Sequence, residues 1–198
     1  MDKIVFATSN NNKLREAKYI LEDLPYKFIG LDSFPNIPPI LETGKTLLEN
    51  SLIKAKTVFD ITRLPSIGDD TGLEVEYLNG SPGVMSARYA GESASSQENI
   101  NKLLLDMNGV PVSECKARFR TVISFVTDSY EQWVEGIVNG IIIDKPQGSG
   151  GFGYDSIFFI PKLNKTFAEL SMEEKNKISH RGLALEKFRI LLGNFDLA

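Results

Sequence analysis

The sequence predicts an α/β or α+β fold, a β-sheet with helices on its faces. Three observations carry this. An apolar run enters a polar loop and then a helical repeat at the N-terminus; Ser/Thr-x-x-Glu capping signals recur ahead of apolar periodicity; and long β-branched and aromatic stretches occupy the second half.

Ile4-Val5-Phe6-Ala7 reads as a strand that runs into Thr8-Ser9-Asn10-Asn11-Asn12-Lys13, after which Leu14, Ala17, Leu21 and Leu24 recur at helical spacing. Thr46 and Glu49 stand in capping-box relation before a helix whose Leu48, Leu52, Ala55 and Phe59 share one face. Ser66-Ile67-Gly68, then Asp69-Asp70-Thr71-Gly72, then the alternating Leu73 to Tyr77 read as strand, acidic turn and strand. Ser95 and Glu98 cap a third helix that stops at Asn108-Gly109. Arg118 to Val126 and Gln132 to Ile143 form a long antiparallel pair, and Tyr154 to Ile160 add a strand. Ser171 with Glu174 caps a short helix, and Leu185, Phe188 and Leu192 mark a final one. No repeat and no linker interrupts residues 1–198, which read as a single domain.

With 42% hydrophobic and 24% charged residues the chain has enough apolar material for its own core. A net charge of −4 opposes binding to polymeric nucleic acid by wholesale phosphate neutralisation, so any cationic site must be concentrated. The single Cys115 excludes an internal disulfide, and with the lone His180 it leaves too few soft ligands for a zinc site; a reducing, cytoplasmic setting fits. No apolar run approaches the roughly 18 residues that span a bilayer, and no basic leader precedes Ile4, so neither a membrane nor a targeting segment is expected.

Four constellations can carry chemistry. The Thr8-to-Lys13 loop can converge backbone N–H groups, Ser/Asn donors and an ammonium on an anion, although it lacks the glycines of a P-loop and an ordinary helix-capping turn explains it as well. Asp69-Asp70 presents carboxylates in opposite directions, so one can face a hard cation while its neighbour braces the backbone; Mg²⁺ needs only one or two such ligands, Asp70 with Glu42 or Glu74, whereas a surface turn is the plain alternative. Gly148-Ser149-Gly150-Gly151-Phe152-Gly153-Tyr154-Asp155 frames Phe152 as a platform for a flat base, unless Phe152 and Tyr154 are simply core. Lys175, His180 and Arg181 gather donors that match the 6-keto acceptor of inosine or xanthosine rather than the 6-amino donor of adenosine, unless they form a solvated charged face with a lone satisfied histidine, and Lys54 adds a cation unless it faces solvent like Lys56 and Arg63.

In order and spacing these motifs resemble the inosine-triphosphatase family of non-standard purine nucleoside-triphosphate pyrophosphatases. The resemblance rests on Ala7 to Lys13, Glu42-Thr43-Gly44, Glu49-Asn50 with Lys54-Ala55, Asp69 to Leu73, Pro82-Gly83 with Ser86-Ala87-Arg88-Tyr89, Gly150 to Asp155, and Ser179-His180-Arg181-Gly182, and it covers essentially the whole chain. It implies an elongated mixed sheet with a substrate cleft between two lobes, a homodimer, and Mg²⁺-dependent hydrolysis of ITP, dITP and XTP to monophosphate and pyrophosphate, which cleanses the nucleotide pool. It also assigns roles. Thr8, Asn10 and Lys13, within the Thr8, Ser9, Asn10, Asn11, Asn12, Lys13 segment, hold the triphosphate together with Lys54. Asp70 binds Mg²⁺ and acts as base for the attacking water, and Glu42 is a metal or outer-sphere carboxylate. Phe152 stacks on the base within Phe152-Gly153-Tyr154-Asp155, Asp155 lies at its polar edge, Lys175, His180 and Arg181 surround the keto oxygen, and Thr71 touches substrate. Thr71 and Ser156 depart from the family's frequent serine and proline. A septum-inhibitor-like pyrophosphatase reading other bases, a non-hydrolysing nucleotide sensor and an RNA-stacking module are the rival readings; intact Asp69, Asp70 and Glu42 oppose the sensor, and the acidic net charge opposes RNA.

Overall fold

Ile4, Val5 and Phe6 are all fully buried, as expected of a parallel strand covered on both faces. In the computed structural model, which describes residues 2–193, they form β1 (Asp2–Phe6), paired in parallel with β2 (Tyr26–Gly30) and with β3 (Ser66–Val75). Alternation along β1 sorts its neighbours. Ile4 and Phe6 join one apolar cluster with Ala17 and Leu21 and with Ala184, Leu185 and Phe188, whereas Val5 and Ala7 join another with Val58. The first cluster is supplied by α1 (Asn11–Ile20) and α5 (His180–Gly193), the second by α2 (Leu47–Thr62), so helices cover both faces of these strands.

The remaining elements are β4 (Pro82–Gly83), α3 (Ser96–Asp106), β5 (Lys116–Val126), β6 (Glu131–Ile142), β7 (Phe158–Ile160), β8 (Lys165–Thr166) and α4 (Met172–Ile178). The sheet order is β2-β1-β3-β5-β6-β7-β8, with β4 on β3, and antiparallel pairing of β4, β7 and β8 makes it mixed. Two compact units share the chain. One takes the residues up to Asp70, Thr121–Gly136 and those from Arg181 on; the other takes Thr71–Arg120 and Ile137–His180. Each has its own core, the second built on Leu73, Leu103, Phe119, Ile157, Phe158 and Phe167.

Three local expectations are corrected. Asp69-Asp70-Thr71-Gly72 is not a turn: β3 runs unbroken through it, because both carboxylates find buried cationic partners and need no solvent. The buried face of α2 is Leu47, Asn50, Ser51, Lys54, Ala55 and Val58, with Leu48 and Leu52 at its margin, because three polar side chains on that face are satisfied internally or close over the neighbouring loop. Finally, the strand expected from Tyr154 begins only at Phe158. A turn bonding the Ile157 and Phe158 N–H groups to the Tyr154 carbonyl occupies the interval, after Gly153 at φ +59. No helix among the described residues is long and apolar enough to cross a membrane.

Candidate active site

The first unit buries its charges on either side of β3. Consecutive strand residues face opposite ways, so Asp69 points to the α1/α5 side with Ile67, and Asp70 points to the α2 side with Gly68. Gly68 makes the second arrangement fit: a Cβ there would lie 1.9 Å from the Ser51 carbonyl oxygen, so α2 rests directly on the β3 backbone. The Ser51 and Ser124 hydroxyls bond at 2.6 Å in the same buried layer.

On the Asp69 side, Lys13 Nζ donates to Oδ1 and Arg181 Nε donates to Oδ2 at 3.0 Å, while Arg181 Nη1 reaches Glu16 Oε2 at 2.8 Å. Arg181 is only 1% exposed. Burial alone would raise the Asp69 pKa, but Lys13 and Arg181 outweigh it and hold the carboxyl well below the usual carboxylate range. Two cations sharing this carboxylate leave Lys13 the weaker base of its kind, lowered by burial and by the Arg181 and Lys54 charges despite Asp69. Asp69 thus spends its carboxylate on the Lys13 and Arg181 side chains on this face of β3.

On the Asp70 side the balance is reversed. Lys54 Nζ lies 2.9 Å from Asp70 Oδ1 and 3.1 Å from Glu42 Oε1, so two carboxylates face one ammonium. Burial opposes the Lys54 charge, but Asp70 and Glu42 overcome it and its pKa is raised. The Asp70 pKa is also raised, by burial and by Glu42 against the pull of Lys54. Asp70 Oδ2 is buried and has no hydrogen-bond partner among the described residues. An unsatisfied carboxylate oxygen in a trio with net charge −1 suits a hard cation. Among the described residues no cluster of three or more His, Cys, Asp or Glu is placed for a metal; Mg²⁺ requires none, since it takes one or two carboxylates and completes its shell with water and phosphate. Glu74, the alternative carboxylate, pairs with Arg118 instead.

The Thr8–Lys13 loop caps α1. Asn10 Oδ1 accepts from the Asn12 and Lys13 N–H groups, and Thr8 Oγ1 accepts from Asn10 N–H. Those two first-turn amides are therefore engaged, while Ser9 and Asn11 are exposed and Thr8, Asn10 and Asn12 half-buried.

In the second unit, Gly151 at φ +72 leaves no room for a side chain: its Cβ would lie 2.1 Å from Asp155 Oδ2. That oxygen instead accepts from Phe152 N–H at 2.8 Å and from Lys175 Nζ at 2.6 Å, and the ammonium sits 4.7 Å from the centroid of the Phe152 ring. Asp155 thereby gathers the half-buried Phe152 and the buried Lys175 into one cluster. Tyr154 is core, its hydroxyl donating to the Ser86 carbonyl at 2.9 Å. His180 is buried and stacked on Phe119, with ring centroids 4.5 Å apart and planes at 17°. Gly153 and Thr71 are partly exposed.

Glu16 and Asn50 were not among the expected site residues. Glu16 follows Lys13 at i+3 on α1, a spacing that puts it on the same face, and so was readable. Asn50 precedes Lys54 at i+4, and its Oδ1 accepts from Gly44 N–H at 2.8 Å, which fixes the loop carrying Glu42.

A mixed sheet covered by helices, with charge buried in separate clusters on the two sides of one strand, defines the class as an α/β protein. The sequence model of the Ham1 family matches residues 4–191, and the chain belongs to that family. A dITP/XTP pyrophosphatase from Geobacter sulfurreducens is 45% identical over 194 residues, 98% of each chain. One from Vibrio cholerae is 46% identical over 190 residues, covering 94% of each. The structure of a HAM1 protein from Coxiella burnetii superposes with a TM-score of 0.92 at 42% identity, covering 98% of this chain and 100% of that one.

Proposed function

We propose that this protein hydrolyses deaminated purine nucleoside triphosphates, ITP, dITP and XTP, to the monophosphate and pyrophosphate, with residues 1–198 acting as one catalytic domain. The observation that carries the proposal is the division of labour at Asp69-Asp70: one carboxylate is neutralised by Lys13 and Arg181, while the other keeps an unsatisfied oxygen beside Glu42 and Lys54. The names of the Geobacter and Vibrio relatives support the substrate class.

Asp70 and Glu42 would hold Mg²⁺, which when bound supplies charge neutralisation for the triphosphate and lowers the pKa of water. Asp70 orients the attacking water and takes its proton. The water oxygen bonds to the α-phosphorus as the bond from that phosphorus to the bridging oxygen breaks, and pyrophosphate departs. Lys13 and Lys54 offset the charge that accumulates on the phosphates. Thr8, Ser9, Asn10, Asn11 and Asn12 supply further donors at the start of α1, and Thr71 contributes its hydroxyl.

Phe152 stacks on the base, with Gly153 and Tyr154 shaping its surroundings and Asp155 holding it beside Lys175. Lys175, His180 and Arg181 select keto bases, since lysine and arginine only donate. For Arg181, Asp69 and Glu16 provide the bracing that fixes the guanidinium. A homodimer in a reducing cytoplasm completes the proposal, supported by the sequence resemblance and the single cysteine.

The test is release of pyrophosphate from ITP, dITP, XTP, dTTP and ATP, with and without Mg²⁺. Metal-dependent release confined largely to the keto purines supports the proposal; no release, or equal rates with ATP, refutes it.

A further inference from the structure

We propose that Lys54 acts as the resident cation of the Glu42–Asp70 pair in the nucleotide-free protein, so that free divalent metal binds weakly and enters together with the triphosphate. The inference rests on the metal and phosphate roles given above to these three residues. Its basis is geometric. The Lys54 ammonium is buried and bonds both Asp70 Oδ1 and Glu42 Oε1, at 2.9 and 3.1 Å. A divalent ion held by those same two oxygens at roughly 2.0–2.1 Å would occupy the space between them. Ammonium and metal therefore compete for one position, and like charge forbids both at short range.

Asp70 Oδ2 alone gives a metal a single protein oxygen, a poor exchange for several tightly held waters. A triphosphate alters this balance in two ways. Its oxygens accept the Lys54 ammonium, which frees Asp70 Oδ1 and Glu42 Oε1, and they add ligands to the metal. The close seating of α2 on β3 at Gly68 fixes the helix, so the exchange is made by the flexible stem of Lys54. Asn50, bonded to Gly44 N–H, keeps the Glu42 loop in place while the ammonium leaves.

The experiment measures protein-bound Mn²⁺ by equilibrium dialysis on the full chain without nucleotide. It compares wild type, Lys54→Met, which keeps the apolar stem without the charge, and the Lys54→Met/Glu42→Gln double variant. The expected result is at least about tenfold tighter Mn²⁺ binding by Lys54→Met than by wild type, with the gain lost in the double variant. Wild type is also titrated with and without inorganic triphosphate, and its bound Mn²⁺ rises at least about tenfold when triphosphate is present; this arm decides the matter if Lys54→Met fails to fold by circular dichroism. Equal Mn²⁺ affinity of wild type and a folded Lys54→Met, or tight binding to wild type unaffected by triphosphate, overturns the proposal. Pyrophosphate release by wild type is read separately. Its persistence alongside those negative results would leave the hydrolase function standing, and its absence would remove that function whatever the Mn²⁺ result.

Discussion

Gly68→Ala tests how the site is positioned. The added Cβ would meet three backbone atoms of α2: Ser51 O at 1.9 Å, Ser51 C at 2.9 Å and Ala55 N at 3.0 Å. Backbone cannot rotate aside as a side chain would. Ordinary contact begins at 3.4 Å, so the helix and strand must separate by 3.4 − 1.9 = 1.5 Å along that line. Overpacking of this kind costs about 1–3 kcal/mol of stability. Lys54 lies less than one turn beyond Ser51 and Asp70 two residues beyond Gly68, so a shift on the order of 1 Å takes the 2.9 Å Lys54–Asp70 bond out of hydrogen-bond range. Misplacement of that size lowers turnover by about 10²-fold. Urea unfolding and pyrophosphate release from ITP read the two effects, with Gly193→Ala as control because no atom of the described residues lies within 4 Å of its added Cβ. Wild-type stability and turnover in Gly68→Ala would refute the claim that direct seating of α2 on β3 sets the Lys54–Asp70 geometry.

Four further outcomes follow from the same contacts. Asp70→Asn lowers kcat by about 10² to 10⁴ with the fold intact; near-normal turnover removes Asp70 from the mechanism. Arg181→Ala destabilises the protein by about 3–5 kcal/mol, since it removes the buried guanidinium that pairs with Asp69 and Glu16, and it reduces ITP and XTP hydrolysis more than residual ATP hydrolysis; equal losses would make bracing its whole role. Phe152→Ala weakens ITP binding by about 1–3 kcal/mol, seen as a raised KM, with little change in unfolding; an unchanged KM would exclude stacking. Asp69, with its pKa depressed in the folded state, contributes stability that is fully present above the ordinary value of 3.8 and is lost as the pH falls below it. The stability gap between wild type and Asp69→Asn therefore narrows on acidification through that range, and a gap independent of pH would contradict the ion pairing.

Much of the fold is written locally. The capping boxes at Thr46/Glu49, Ser95/Glu98 and Ser171/Glu174 all form, because each needs only residues three apart. The first strand, loop and helix are equally direct, with Asn10 as the cap. What escaped local reading depends on distant partners. Asp69-Asp70-Thr71-Gly72 has the composition of a turn and stays extended because its carboxylates meet Lys13, Lys54 and Arg181, up to 112 positions away. Half of the inner face of α2 is polar for the same reason, with Asn50, Ser51 and Lys54 beside Leu47, Ala55 and Val58, so apolar periodicity caught Ala55 and missed the rest. For Tyr154 the plain core reading of the glycine-rich context holds, since its ring fills a core and its hydroxyl donates to the Ser86 carbonyl. Spacing alone could not show that Phe152 and Lys175 meet, which they do because Asp155 accepts from both.

The most direct test of the central claim is hydrolysis of ITP in ¹⁸O-labelled water, with the products resolved by mass spectrometry. Attack at the α-phosphorus, beside Asp70, places one label in the inosine monophosphate and none in the pyrophosphate. Label in the pyrophosphate, or release of inosine diphosphate and orthophosphate, would contradict the account.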